Sequence, residues 1–181
     1  MQLENRLAVV TGGGRGIGFH ISLVFLENGA GVLAVSRDPS RLEEAKDALP
    51  GLQTLQADVS VAADNDRIAA WVRDRWGRLD ILVNNAGVSP PTGPSLTTQA
   101  DDVFELTVRV NLFGPYLCTK RLLPLLLESD DPRVINVGSN MGVMSSSLTG
   151  AYSVSKAALH ALTVATANEL RESVTVNALS P

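Results

Sequence analysis

Six short apolar runs rich in valine, leucine and alanine alternate with longer amphipathic stretches along the 181-residue chain, and no other feature restricts its fold as strongly. Short runs of this kind need burial on both faces, which the middle of a parallel sheet provides, and the longer stretches supply the helices that cross over and cover it. Strands are predicted at about 7–11, 31–36, 52–57, 81–84, 133–137 and 174–178, and helices near 16–28, 40–48, 62–76, 98–127 and 152–172. The fourth helix is expected to be disturbed by Gly114, Pro115 and Pro124. Right-handed crossovers then give a doubly wound α/β fold of three layers, α/β/α, with strand order 3-2-1-4-5-6 and a ligand crevice at the carboxyl ends of the first and fourth strands. One domain over 1–181 is expected, since 45% hydrophobic residues suffice for one core.

The first strand runs into Thr11-Gly12-Gly13-Gly14-Arg15-Gly16-Ile17-Gly18, and an apolar-periodic helix follows. Gly12, Gly14, Gly16 and Gly18, with Ile17 between the last two, let the backbone turn sharply and approach a pyrophosphate held by the free N–H groups of the helix start. A plain flexible loop is the alternative, and the strand before and helix after weigh against it.

Composition closes off other classes. The net charge is −4 with no long basic run, which leaves no footprint for nucleic acid or an anionic membrane. The start of the chain lacks a basic segment followed by an apolar one, and the apolar run at 122–127 contains Pro124 and is too short to span a bilayer. Cys118 is the sole cysteine, and no Cys and His cluster has metal-ligand spacing, so no metal is expected and a reducing, cytoplasmic setting fits. His20 and His160 read as helix-surface or interface residues, Trp71 and Trp76 as packing residues.

The TGxxxGIG spacing, the run Asn84-Asn85-Ala86-Gly87 and the later Tyr152-x-x-x-Lys156 together resemble the short-chain dehydrogenase/reductase family across nearly the whole chain. The resemblance implies a Rossmann-like fold binding NADP or NAD and a homodimer or homotetramer formed through the long helices that contain Cys118 and Lys156. It places Asn111, Ser139, Tyr152 and Lys156 as the catalytic set, Ser139 standing thirteen positions before Tyr152. It also implies that Asp58, followed by Val59, lies near the adenine ring, and that Asn84, Ala86 and Gly87 run along the cofactor. From the residues alone, Asp58 and the Asn84 to Gly87 run would both read as turns. Gly138 departs from the pattern, because many relatives carry a second serine there.

Tyr152 and Lys156 lie four apart on a predicted helix and so share one face. A free phenol, titrating near pH ~10, is a poor base, but an ammonium about 4 Å away at an effective dielectric near ~20 supplies about 4 kcal/mol toward the phenolate. The resemblance implies that Tyr152 passes a proton to or from the substrate oxygen, that Lys156 also binds the nicotinamide ribose, that Ser139 hydrogen-bonds the same oxygen and that Asn111 anchors a water chain to Lys156. Fixed donors at an oxygen that gains charge lower the barrier. Val137-Gly138-Ser139-Asn140-Met141 is not a nucleophile elbow, so a serine hydrolase is not indicated.

The second strand ends in Ser36-Arg37-Asp38. Arg37 and Arg15 suit a 2′-phosphate, whereas an acidic residue in this region is the mark of NAD. Asp38-Pro39 has the form of a helix cap, and NADP is the expectation over NAD. A small carbonyl or alcohol is the expected substrate, in a mostly apolar pocket lined by 88–94 and 141–148. Relatives in the family continue past residue 181 with a substrate-covering segment and a further strand, so a coenzyme- or partner-binding chain without turnover is the alternative function.

Overall fold

The computed structural model describes residues 1–90, 95–144 and 149–181. Strands β1 (Leu7–Thr11), β2 (Gly31–Ser36), β3 (Gln53–Gln56), β4 (Ile81–Asn84), β5 (Arg133–Val137) and β6 (Thr175–Leu179) form one sheet in the order β3-β2-β1-β4-β5-β6. All pairings are parallel, with Leu7 opposite Gly31, Ala8 opposite Ile81 and Asn84 opposite Asn136. The helices are α1 (Gly16–Glu27), α2 (Pro39–Ala48), α3 (Ala62–Trp76), α4 (Asp101–Val108), α5 (Gly114–Leu126) and α6 (Gly150–Leu170).

Alternate strand residues feed two cores. Val9, Leu33, Leu82 and Val134 pack with Ile68, Val72, Cys118, Leu122 and Leu126 from α3 and α5. Ala8, Val10, Val32 and Val83 pack on the opposite face with Leu42 and Ala45 of α2 and Phe19 and Ile21 of α1. Burial of each Val or Leu contributes about 1.5–3 kcal/mol before chain entropy is charged against it. At the amino end of the sheet, fully buried Asp80 accepts hydrogen bonds from the Leu7 N–H (2.8 Å) and the Ser129 hydroxyl (2.6 Å), and it pairs with Arg6 (3.3 Å) and Arg78 (3.4 Å). This anchors β1 to β4, the parallel pair at which the order of successive strands switches from one side of the sheet to the other.

The helix predicted at 98–127 begins at Asp101 and is divided by a π turn, Arg109–Phe113, in which the Gly114 N–H reaches back to the Arg109 carbonyl. Pro115 has no N–H to offer the Asn111 carbonyl, and one widened turn accommodates that missing donor. Pro124 is carried inside α5 without ending it.

Candidate active site

At the carboxyl ends of β1 and β4, the Thr11 hydroxyl donates to the Val83 carbonyl (3.2 Å) and accepts from the backbone N–H groups of Asn85 and Ala86 (both 3.0 Å). Asn85 Nδ2 donates to the Thr11 carbonyl at 2.8 Å, so the two turns that open the crevice are tied together. Gly12 has φ +67° and Gly16 φ +53°, the left-handed region that glycine enters at little cost. A Cβ at Gly18 would stand 2.3 Å from the Gly12 carbonyl oxygen, so glycine is what lets α1 start directly against the turn. Arg15 precedes α1 without a side-chain cap, which leaves the first helical N–H groups free for an anion. Such a cradle fits a dinucleotide pyrophosphate.

A groove enclosing about 110 Å³ continues from this turn, lined by Gly12, Arg15, Ser36, Arg37, Asp58, Val59, Ala86 and Gly87, and also by Val35, Ala57, Val88 and Val110. Eight residues predicted for the coenzyme thus line one groove, joined by Val88, which was expected in the substrate pocket; Gly14 stands in the adjoining turn and Gly16 and Gly18 at the start of α1, where Ile17 is exposed. Val35 and Ala57 were findable as neighbours of strand carboxyl ends; Val110 was not, because it is delivered by the π turn. Asp58 also serves a turn: its carboxylate accepts from the Ser60 N–H (2.9 Å) and hydroxyl (2.7 Å). Asp38 caps α2, accepting from the Ser40 N–H at 3.1 Å and the Ser40 hydroxyl at 2.8 Å. The Ser40 hydroxyl, foremost among its donors, holds that carboxyl below its ordinary range.

Lys156 is buried, 4% exposed, and its ammonium donates to the Val137 carbonyl at 2.7 Å, 5.7 Å from the centre of the Tyr152 ring. Burial pushes the Lys156 amine down to about 8. A solvated surface lysine beside a half-buried tyrosine, the bland possibility for this spacing, is not what the fold builds. Gly87 joins this cluster to the groove: a Cβ there would lie 3.3 Å from Asn111 Oδ1 and 3.8 Å from Lys156 Nζ. Fully buried Asn111 accepts from the Val88 N–H (2.8 Å) and donates to the Val88 carbonyl (2.9 Å) and the Ser155 hydroxyl (3.0 Å). Its side chain therefore fixes the groove wall to the helix of Tyr152. Ser139 follows β5, and its Oγ accepts from the Met141 N–H at 3.2 Å, so one of its lone pairs is engaged.

Asn84 lies behind the wall rather than on it. Its Nδ2 donates to Thr119 Oγ1 (3.2 Å) and Asn136 Oδ1 (2.9 Å), and Asn136 passes the ladder on to Thr163 (2.9 Å). Ala86 and Gly87 make the wall instead. Of the expected apolar substrate pocket, residues 91–94 and 145–148 lie outside the described residues; Val143 and Met144 are exposed. Among the described residues no helix is long and apolar enough to cross a membrane, and no group of three His, Cys, Asp or Glu is placed to hold a metal.

Comparison with known proteins agrees with this geometry. The sequence is 38% identical to L-fucose dehydrogenase of Bos taurus, over 97% of this chain and 65% of that protein, so the chain spans about two thirds of that relative's length. It is 39% identical to the rhamnolipids biosynthesis 3-oxoacyl-[acyl-carrier-protein] reductase of Pseudomonas aeruginosa, over 99% of this chain and 73% of that one. The solved Pseudomonas aeruginosa RhlG/NADP active-site complex superposes with a TM-score of 0.92 at 38% identity, over 99% of this chain and 73% of the other. The short chain dehydrogenase profile matches residues 6–181, and the chain belongs to the short-chain dehydrogenase/reductase family.

Proposed function

We propose that the protein is an NADP-dependent oxidoreductase that interconverts a ketone and a secondary alcohol. The observation that carries this reading is the buried Lys156 ammonium beside the Tyr152 ring, at the Gly87 end of the groove. The coenzyme, when bound, supplies or accepts the hydride. Tyr152 gives its phenolic proton to the substrate oxygen during reduction and takes it back during oxidation. The Lys156 charge favours the phenolate, and its position beside Gly87 suits a bond to the nicotinamide ribose as well. Ser139, whose Oγ accepts from the Met141 N–H and whose hydroxyl donates at 3.5 Å to Asn140 Oδ1, turns that hydrogen to the substrate oxygen, where charge grows as the hydride moves. Asn111 holds the wall, and a water chain from its neighbourhood to Lys156 is the route for protons.

The coenzyme assignment rests on Arg15, Ser36 and Arg37 sharing the groove while Asp38 is committed to capping α2. Two guanidinium groups match a doubly charged 2′-phosphate. The NADP complex of the similar RhlG structure supports the same choice. Leu106, Phe113, Tyr116, Val154 and Val164 leave apolar surface exposed on and between α4, α5 and α6, which supports a homodimer or homotetramer through these helices.

The test is Tyr152→Phe. Turnover of carbonyl substrates should fall by about 10²–10⁴-fold, while coenzyme affinity measured by titration stays within about threefold of the parent. Equal loss of both would contradict the proton-transfer role. Coenzyme binding by the parent with no turnover of any carbonyl would transfer the assignment to a coenzyme-binding chain.

A further inference from the structure

The imidazole of His160 occupies a slot made by two glycines. A Cβ on Gly138 would stand 2.4 Å from His160 Nε2, and a Cβ on Gly142 would stand 3.0 Å from His160 Cε1. The far side of the slot is Ser180, whose Oγ lies 3.1 Å from Nε2 in a hydrogen bond that either group can donate. Gly138 and Gly142 bracket Ser139 and its short turn, Asn140–Gly142. His160 rides on α6, two turns beyond Tyr152 and one beyond Lys156. The same helix touches the turn a second time, since a Cβ on Gly142 would stand 2.9 Å from the Lys156 carbonyl carbon. The Gly138 N–H meanwhile donates to the Leu179 carbonyl at 2.7 Å, which fixes the strand end from the β6 side.

We propose that His160 is a positioning residue for Ser139: its ring wedges the Ser139 turn against the helix that carries Tyr152 and Lys156, setting the distance between the two halves of the site. The proposal rests on the ketone and alcohol chemistry assigned above. It explains Gly138, where many relatives have serine, because any side chain there would claim the space of the ring. The imidazole is too far along α6 to serve the substrate oxygen itself and acts only through the turn. A misplacement of about 1 Å at a reacting group costs on the order of 10²-fold in rate, so a wedge of this kind is sufficient to matter.

The experiment uses the full chain and its His160→Ala, Gly138→Ala and doubly substituted variants. His160→Ala removes the wedge, and Gly138→Ala expels it, so each should lower kcat by roughly 10–100-fold with KM and NADPH affinity nearly unchanged. The double variant should be no worse than the poorer single one, because both act on one contact. His160→Phe, which refills the slot with a ring, should recover most of kcat. Hydrogen exchange gives a readout independent of turnover. The amides of Gly142, Val143 and Met144 donate to Ser139 and Asn140 carbonyls, and they should exchange about 10-fold faster in His160→Ala, while the Leu79 amide, bonded to Leu125 far away, keeps its rate. Unchanged exchange at 142–144, or losses in kcat that multiply in the double variant, would overturn the proposal. If the parent neither binds coenzyme nor turns over, the assigned function falls, and the exchange rates still decide the wedge.

Discussion

Lys156 carries the main electrostatic cost of the site. Its amine is depressed from 10.5 to about 8 by burial, so the charged form that the proposed chemistry needs is the form the fold disfavours. Between those two values the unfolded chain binds the proton and the folded chain does not, so stability rises with pH across that interval, and the cost is fully present below pH about 8. Cys118 acts in the opposite sense, because burial raises its thiol from 9.0 to about 12 and stability falls as pH climbs from the first value toward the second. From pH 8 to 9 the lysine contribution outweighs that of the thiol, whose loss begins as the pH nears 9. In urea unfolding the change over this unit of pH should be about 1 kcal/mol more favourable in the parent than in Lys156→Met. An equal slope in both proteins would place the charge cost elsewhere. The four-residue spacing of Tyr152 and Lys156 was legible in the sequence; the burial of Lys156 was not, because its partner is the Val137 carbonyl on a strand 19 positions away. His160 is half-buried on the helix surface, and its seat between Gly138 and Gly142 was not legible for the same reason. The glycines that receive its ring lie 18 and 22 positions earlier, on the far side of the loop that precedes α6.

Helix α4, the π turn and α5 show how an element converts a local irregularity into a site wall. The sequence flagged Gly114, Pro115 and Pro124 as disturbances, but only the first two coincide with a change of helix type, and the proline at 124 is absorbed. The widened turn carries Val110 into the groove and Asn111 between Val88 and Ser155. Gly114 lets α5 close on Val59, since a Cβ there would lie 2.9 Å from Val59 Cγ2. Asn111→Ala removes a fully buried side chain and strips the half-buried Val88 N–H and carbonyl of their partner, and it should cost about 1–3 kcal/mol in denaturant unfolding with an unchanged m value. Coenzyme affinity should fall with it, because Val88 and Gly87 lose their support. A loss below about 0.5 kcal/mol would mean that the wall holds without it. Strand positions were the most legible elements, since continuous apolar runs bounded by glycine and polar residues mark buried parallel strands directly. β3 was predicted one residue too long at each end, because Leu52 and Ala57 are buried like strand residues although they lie outside its paired segment.

At the scale of the molecule, strand order alone locates the chemistry. Crossovers that leave parallel β1 and β4 toward opposite sides open a crevice at the carboxyl edge of the sheet, and the glycine turn, the Asn85 bridge and the groove all stand there. Strand alternation therefore made the crevice legible before any motif was considered. The reach of α6 back across the Ser139 turn was not legible, because it depends on packing between segments distant in sequence. The most direct measurement of the central claim is calorimetric titration of the chain and its Arg37→Ala variant with NADPH and with NADH. The account predicts that the parent binds NADPH more tightly than NADH and that Arg37→Ala weakens NADPH by about tenfold or more while leaving NADH nearly unchanged. Failure of the parent to bind either dinucleotide would contradict the coenzyme site itself, and equal affinities unchanged by the substitution would contradict the phosphate assignment.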